Sequence, residues 1–216
     1  MKRITFIAGH YGSGKSEVSI NLAIKKKVNV LIDLDIVNPY FRSRELEEEL
    51  NKYNISIISS SLKNARGSDL PFLSKDIYLP FYNKKVNAIY DLGGNDIGSR
   101  VFRQFKDLYT LEDIDLLICI NVFRKETEKK DLIIEMIKSI ETSSGIKVTG
   151  LINNSNYIRD TKINDILFGE KIILEVAKTL CLPVVYTAVY EDLKYDKNDF
   201  QGEIIPLKLY LRKTWL

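Results

Sequence analysis

Residues 9–16 of the chain read Gly-His-Tyr-Gly-Ser-Gly-Lys-Ser, and this stretch decides the fold. It fits the spacing G-x-x-x-x-G-K-S/T without a gap, and the apolar run Ile4 to Ala8 comes directly before it. Glycines let the backbone curl so that successive N–H groups point inward at phosphate oxygens. A helix that starts after the loop would add its positive N-terminal end. The stretch therefore favours a phosphate-binding loop over a chance glycine-rich turn.

Two side chains of the loop predict a catalytic and a metal-binding role. Lys15 would reach the outer phosphates and act in catalysis, and the Ser16 hydroxyl would bind Mg²⁺. The phosphate-binding residues that the sequence predicts are Gly9, Gly12, Ser13, Gly14, Lys15, Ser16 and, further along the chain, Gly94.

Strand and helix signals alternate outward from the loop to the end of the chain. The predicted strands are 4–8, 28–34, 55–58, 86–90, 116–122, 147–152 and 183–189. The predicted helices are 15–27, 41–53, a short one between Pro71 and Pro80, 98–110, 126–142 and 165–180. Strands separated by helices imply βαβ crossovers, so we expect an α/β fold in which helices cover both faces of a parallel sheet. Residues 1–216 contain no linker or repeat, which favours one domain.

Composition excludes several classes of function. Lys and Arg number 32 against 29 Asp and Glu, so a net charge of +3 argues against nucleic acid as a main partner. The two cysteines, Cys119 and Cys181, lie far apart, and His10 is the one histidine, which argues against a disulfide scaffold or a histidine-rich metal centre. No apolar stretch has membrane-spanning length, and the N-terminus does not resemble a signal peptide. We therefore expect a cytoplasmic protein without membrane attachment.

Three carboxylates end predicted strands, where ligands bind in open α/β sheets. Asp91 follows an apolar strand and precedes Leu-Gly-Gly, which is typical of a carboxylate that holds Mg²⁺. Asp33 and Asp35 lie two positions apart and would point to the same side of a regular strand. We assign Asp33 to the metal and Asp35 to orienting the attacking water. The alternatives are a turn cap for Asp91 and a solvated surface turn for the other two.

With these residues in place, the chain resembles the ParA/MinD group of P-loop ATPases, which includes CobQ/CobB-type nucleotide-binding domains. The resemblance covers most of residues 1–190 and depends on the loop, on Asp33-Leu34-Asp35 and on Asp91-Leu92-Gly93-Gly94. It implies a three-layer P-loop NTPase fold with a mostly parallel sheet of about seven strands. It also implies that Asn154 contacts adenine. Within the group, the chain is similar to an uncharacterised bacterial subgroup that carries a GHYGSGK loop.

The chain departs from this group at His10, where ParA and MinD relatives place a second lysine that reaches a partner's phosphates. Histidine is shorter and carries little charge near neutral pH, so an ATP-dependent homodimer of that kind stays an open question. Arg42 and Arg44 are alternative sources of a cation, although an exposed helix start explains them as well. Both cysteines look like small buried hydrophobic residues, and we predict no iron–sulfur cluster.

The identity of the base depends on Asn153-Asn154-Ser155-Asn156. This stretch ends a predicted strand but lacks the Asp of the guanine-reading pattern N-K-x-D. An amide can pair with the donor–acceptor edge of adenine, so the sequence favours ATP over GTP. Asp160 complicates this preference if its loop folds back.

The C-terminal residues 204–216 are apolar and basic. As a helix they would place Leu207, Tyr210, Leu211 and Trp215 on one face, which is the pattern of a membrane-surface helix. The same run also alternates as a strand. We expect it to pack against the domain.

Three functions remain open from the sequence. The first is an Mg-ATP-dependent switch that is read by an unknown partner protein or a second subunit, with ATP hydrolysis releasing it. The second is an ATP-dependent small-molecule kinase or ligase on the same fold. The third is a nucleotide-binding module with little turnover.

Overall fold

A computed structural model describes residues 1–34, 44–59, 74–93, 105, 108–110 and 113–211. The predicted site residues Asp35 and Gly94, and also Arg42, lie outside these ranges. So do most of the predicted helix at 98–110 and the C-terminal residues 212–216.

Eight strands of the described residues form one sheet, in which every pairing is parallel. The strand order is β3-β2-β4-β1-β5-β6-β7-β8. The strands are β1 Ile4–Ala8, β2 Val30–Leu34, β3 Ser56–Ser59, β4 Ala88–Leu92, β5 Ile114–Ile120, β6 Gly150–Asn153, β7 Val184–Tyr190 and β8 Glu203–Leu207. The seven predicted strands are confirmed with shifted ends, and β8 is an eighth strand at the edge.

Helices of the described residues cover both faces of the sheet, as the alternation of strand and helix signals predicts. They are α1 Lys15–Lys26, α2 Arg44–Asn51, α3 Leu79–Tyr82, α4 Lys130–Ser144 and α5 Ile163–Leu180. The apolar residues of α1 and α2 pack in one cluster with alternate strand residues, and those of α3, α4 and α5 pack with the other strand residues. This arrangement is the three-layer α/β fold of P-loop NTPases.

The alternation of side chains along the strands determines what faces the helix that follows the predicted loop. In β4, Ile89 packs in the cluster with α1, whereas Tyr90 and Leu92 pack in the cluster on the opposite face. Side chains alternate between the faces of a strand, so Asp91 lies on the α1 face. The same alternation in β2 places Asp33 on that face.

The C-terminal part of the described chain is a strand followed by a docked segment rather than a helix. Glu203–Leu207 pairs with β7, and Pro206 is tolerated there because it lies in an edge strand. The backbone N–H groups of Tyr210 and Leu211 donate to the Glu17 carboxylate at 2.8–3.1 Å. Packing against the domain is therefore confirmed for residues 204–211 of the predicted stretch, and the helical alternative is wrong for them.

Candidate functional site

Residues 9–14 form a tight turn between β1 and α1, at the carboxyl end of the sheet. Gly12 and Gly14 adopt left-handed backbone angles, with φ of 77° and 81°. The backbone N–H of Ser13 donates to the His10 carbonyl at 3.1 Å, which closes the turn. Because L-residues with a side chain rarely adopt these angles, the two glycines explain how the chain bends here.

Neighbouring atoms leave no room for a side chain at Gly9 or Gly14, which is a second reason for glycine at these positions. A Cβ at Gly9 would overlap the carbonyl oxygen of Cys119 in β5, and it would lie 2.9 Å from the Ser13 Oγ. A Cβ at Gly14 would overlap the side-chain nitrogen of Asn154. The loop is therefore pressed against the ends of β5 and β6.

Two side chains from those strand ends bind the outward carbonyls of the loop. Arg124 Nε donates to the Gly12 carbonyl at 2.9 Å, and Asn154 Nδ2 donates to the Ser13 carbonyl at 2.7 Å. In a trans peptide the C=O and the next N–H point in opposite directions. Because Asn154 binds the Ser13 carbonyl, the Gly14 N–H points away from Asn154. Anion-binding loops use successive N–H groups of this kind as donors.

The helix start brings Ser16 to the carboxylates that the sequence predicts. Ser16 Oγ donates to Asp91 Oδ2 at 2.6 Å, and Asp91 is fully buried. Asp33 lies directly opposite Asp91 in the register of β2 and β4, and 2% of it is exposed. The structure thus brings together Ser16, Asp33 and Asp91, which the sequence assigns to one metal site. Lys15 follows Gly14 at the first position of α1 and is buried as well.

The chemistry of this donor set fits a magnesium ion. A hydroxyl and two carboxylates offer only oxygen atoms, which are the ligands that Mg²⁺ prefers. Two buried carboxylates on neighbouring strands repel each other unless a cation or a network of donors lies between them. A bound Mg²⁺ with a phosphate group would complete such a set.

Asn154 lies against the loop, and 2% of the residue is exposed. Its nitrogen binds Ser13, whereas its oxygen makes no hydrogen bond within the part of the chain that the structure describes. The buried carboxamide oxygen is therefore the atom of Asn154 that would accept a hydrogen bond in the predicted contact with adenine. Whether Asn154 touches a base stays a prediction.

His10 makes local contacts. Its Nδ1 lies 3.0 Å from the Tyr11 carbonyl and 3.8 Å from a Glu126 carboxylate oxygen. The ring thus lies between its own loop and the loop that follows β5.

The two cysteines differ in environment. Cys119 is buried in β5 behind the loop, where its Sγ lies 3.6 Å from the Ser13 carbonyl, and burial raises the pKa of its thiol to about 12. Cys181 is exposed, so the prediction that it is buried is wrong. It ends α5 with a left-handed φ of 53°, and the chain packs the next residue, Leu182, against the core instead.

Sequence reasoning missed two residues at the site. Arg124 stands in the loop after β5, outside any motif, and only the folded chain reveals its contact with Gly12. Glu17 follows the loop motif directly, and its contact with residues 210–211 spans nearly the whole sequence. No local signal in the sequence identifies either contact.

The loop, the carboxylates and the parallel sheet together define the class as the P-loop NTPase fold. No protein-family model matches the chain, and no curated protein matches its sequence. Solved structures do match. The signal recognition particle receptor FtsY from Elizabethkingia anophelis is 14% identical with a TM-score of 0.54, over 92% of this chain and 60% of that chain. The same receptor in complex with GDP is 15% identical with a TM-score of 0.52, over 88% of this chain and 58% of that one.

The chain thus spans about three fifths of the receptors it matches, and the likeness concerns the fold. It supports the P-loop NTPase fold without singling out the ParA/MinD group, so that assignment stays a prediction. Among the described residues, no helix is both long and apolar enough to cross a bilayer.

Proposed function

We propose that the chain binds a nucleoside triphosphate with Mg²⁺ at the loop of residues 9–16 and hydrolyses it as a molecular switch. One observation carries the proposal: Ser16, at the start of α1, bonds Asp91 at 2.6 Å beside Asp33, directly after a loop with two left-handed glycines. A phosphate cradle and an oxygen-donor metal site therefore adjoin each other. Such adjacency is what phosphoryl transfer requires, since catalysis there is mainly positioning and charge stabilisation.

Each residue has a defined task in this proposal. The inward N–H groups of the loop and the Lys15 ammonium hold the phosphate tail. Ser16, Asp33 and Asp91 hold the metal, which neutralises phosphate charge when it is bound. Asp35 orients the attacking water, and Gly94 meets the outermost phosphate. These last two roles come from the sequence pattern alone.

ATP is the nucleotide that we propose first, because the asparagines after β6 lack the acidic residue that guanine recognition commonly uses. The FtsY receptor in the second matching structure holds GDP, so GTP is the competitor to test. The segments after β2 and β4, near residues 35–45 and 92–100, would respond to the terminal phosphate. A partner protein or a second copy of the chain would read that response.

Calorimetry with Mg-ATP and Mg-GTP tests the proposal, together with phosphate release and the oligomeric state with and without nucleotide. We expect binding of ATP that K15A weakens at least 10-fold, slow turnover, and association that depends on ATP. The exposed lysine Lys84 provides the matched control K84A, which should bind as the wild type does.

Three results contradict the proposal in different ways. Unchanged affinity in K15A removes the loop as the nucleotide site. Turnover that begins only when a small-molecule acceptor is added supports a kinase or ligase instead of a switch. Tight binding without phosphate release supports a binding module.

A further inference from the structure

The loop of residues 9–16 has different neighbours on its two sides. The strand order β2-β4-β1-β5-β6 places Asp33 and Asp91 on one side of β1. It places Arg124 and Asn154, which follow β5 and β6, on the other side. The metal-binding oxygens and these two nitrogen-bearing side chains therefore flank the loop from opposite directions.

This asymmetry gives the direction of a bound nucleotide, if the proposed function holds. Magnesium binds the outer phosphates of a nucleoside triphosphate. With the metal carboxylates on the β4 side, the outer phosphates lie toward that side. The nucleoside end then lies toward β5 and β6, where Arg124 and Asn154 stand.

The guanidinium of Arg124 is fixed against the loop. Its Nε bonds the Gly12 carbonyl, and a Cβ built on Gly12 would lie 3.5, 3.7 and 3.9 Å from Nε, Cζ and Cδ. A side chain at Gly12 would therefore touch the guanidinium, whereas glycine leaves that space open. Within the described ranges, the terminal nitrogens make no hydrogen bond or ion pair, and the side chain is half-buried.

The backbone that carries Arg124 is itself held tightly. The buried side chain of Asn121 accepts from the Phe123 N–H at 3.0 Å and donates to the Asn156 carbonyl at 3.1 Å. The hydroxyl of Thr127, which is also buried, donates to the Asn121 carbonyl at 2.7 Å, and the Thr127 backbone N–H donates to the Arg124 carbonyl at 2.9 Å. These hydrogen bonds fix the backbone of the loop after β5, and they thereby fix the position from which the Arg124 side chain extends.

A second observation on this side points to a ligand with an amino group. The oxygen of Asn154 is buried, 2% of the residue is exposed, and the oxygen has no hydrogen-bond partner within the described part of the chain. A buried acceptor without a donor is costly, so it marks a place for a donor from a ligand or a water molecule. Adenine and guanine both carry an exocyclic amino group.

We propose that Arg124 stacks its guanidinium on the base of the bound nucleotide and determines affinity for the nucleoside half of the ligand. A planar guanidinium stacks flat on aromatic rings, whereas an ammonium attracts the ring only as a point charge. The hydrogen bond to the Gly12 carbonyl lies in the plane of the group, so it does not occupy the flat sides that would stack on a base. This inference rests on the proposed function.

The test compares a ligand with a base and one without. Affinities of Mg-ATP, Mg-GTP and Mg-tripolyphosphate are measured for the wild type, R124A, R124K and the control K125A, whose exposed lysine is the next residue. For the nucleotide that the wild type prefers, we expect R124A and R124K to lose affinity about 10-fold or more. Affinity for tripolyphosphate should change less than 3-fold, and K125A should match the wild type.

Several outcomes would overturn the inference while leaving nucleotide binding intact. Equal losses on both ligands mean that Arg124 serves the phosphates or only braces the loop. Full affinity in R124K means that charge without planarity is enough. A crystal structure with the bound nucleotide decides independently: we expect the base within about 4 Å of the guanidinium plane, and any other position of the base is contrary to the proposal. If the wild type binds no nucleotide, the proposed function fails first.

Discussion

Gly14 shows how a single residue combines two constraints at the site. Its φ of 81° costs an L-residue about 1–2 kcal/mol, and a Cβ there would also overlap the Asn154 side chain. Gly145, after α4, has nearly the same φ of 78° with no atom within 4 Å of its added Cβ. Substitution of Gly145 therefore measures the backbone cost alone, whereas substitution of Gly14 measures the backbone cost together with the steric cost.

We expect G14A to lower the free energy of unfolding by more than G145A does. G145A should cost about 1 kcal/mol, the backbone term alone. Urea unfolding measures both variants. Combining G14A with N154A should recover part of the difference by removing the overlap, and equal costs for G14A and G145A would show that the overlap has no energetic weight.

Asp91 offers a test of the metal site at the same scale. D91N keeps the shape of the side chain but removes its charge, so the part of nucleotide affinity that depends on Mg²⁺ should fall about 10–100-fold. Titrations with Mg²⁺ and with EDTA measure that part. D115N is a suitable control, because Asp115 binds the Lys2 N–H at the opposite end of the sheet. The metal assignment fails if D91N and the wild type respond to Mg²⁺ alike.

At the scale of elements, α1 binds the backbone of the C-terminal segment through side chains one turn apart. Glu17 accepts from Tyr210 and Leu211, Asn21 bonds the Lys208 N–H and carbonyl at 3.0 and 2.9 Å, and Lys25 donates to Ile204 at 2.6 Å. The i, i+4, i+8 spacing puts these three side chains in one row. The helix that begins at the loop thus holds β8 and the residues after it.

Loss of the Glu17 carboxylate should loosen residues 208–211 without unfolding the sheet. We expect E17A to raise amide hydrogen exchange at Tyr210 and Leu211 by about 10-fold, because two charge-assisted bonds are lost. E141A is the matched control, since Glu141 accepts from the Val148 N–H at 3.0 Å elsewhere in the fold. In E141A we expect amide hydrogen exchange to increase at Val148 and to stay unchanged at Tyr210. Protection that persists in E17A would show that apolar packing alone holds the segment.

The junction of α1 and β8 also predicts a dependence on pH. Burial alone would raise the pKa of the Glu203 carboxyl, but its hydrogen bonds to Lys25 and Lys26 outweigh burial and lower that pKa from its ordinary 4.5. A carboxyl whose pKa is lowered on folding stabilises the fold above 4.5, and this contribution disappears as the pH falls through the lowered value.

We therefore expect the free energy of unfolding of E203Q to fall less than that of the wild type on acidification below pH 4.5. The carboxylate is about half exposed, so the difference should stay below about 1 kcal/mol. Urea unfolding at a series of pH values measures it. Parallel pH curves for the two proteins would refute the prediction.

Across the whole molecule, the alternation of strands and helices and the meeting of Asp33 with Asp91 follow from local patterns. The apolar runs that precede the loop, Asp33 and Asp91 are short and end in recognisable residues, so their convergence at one edge of the sheet is predictable. Edge strand β8 is not among the seven predicted strands, although residues 204–216 also alternate as a strand, because Pro206 interrupts the pattern and polar residues flank it.

The contacts that hold the loop on its β5 and β6 side could not be predicted in this way. Arg124 and Asn154 meet Gly12 and Ser13 across more than a hundred residues of chain, and these contacts depend on how far each strand extends. Sequence patterns place strand ends only to within a few residues. Contacts between two strand-end loops are consequently visible only in three dimensions.

The central position of β1 has a consequence for how the chain reaches its native state. Ile4 pairs with Ala88 on one side and with Ile114 on the other. Partners so distant in the sequence must be synthesised before the first strand can be enclosed, and chains dominated by such pairings fold slowly. The loop of residues 9–16 therefore gains its neighbours Asp91 and Asn154 only after chain far downstream of it has been synthesised, so the candidate site is completed much later than the loop itself.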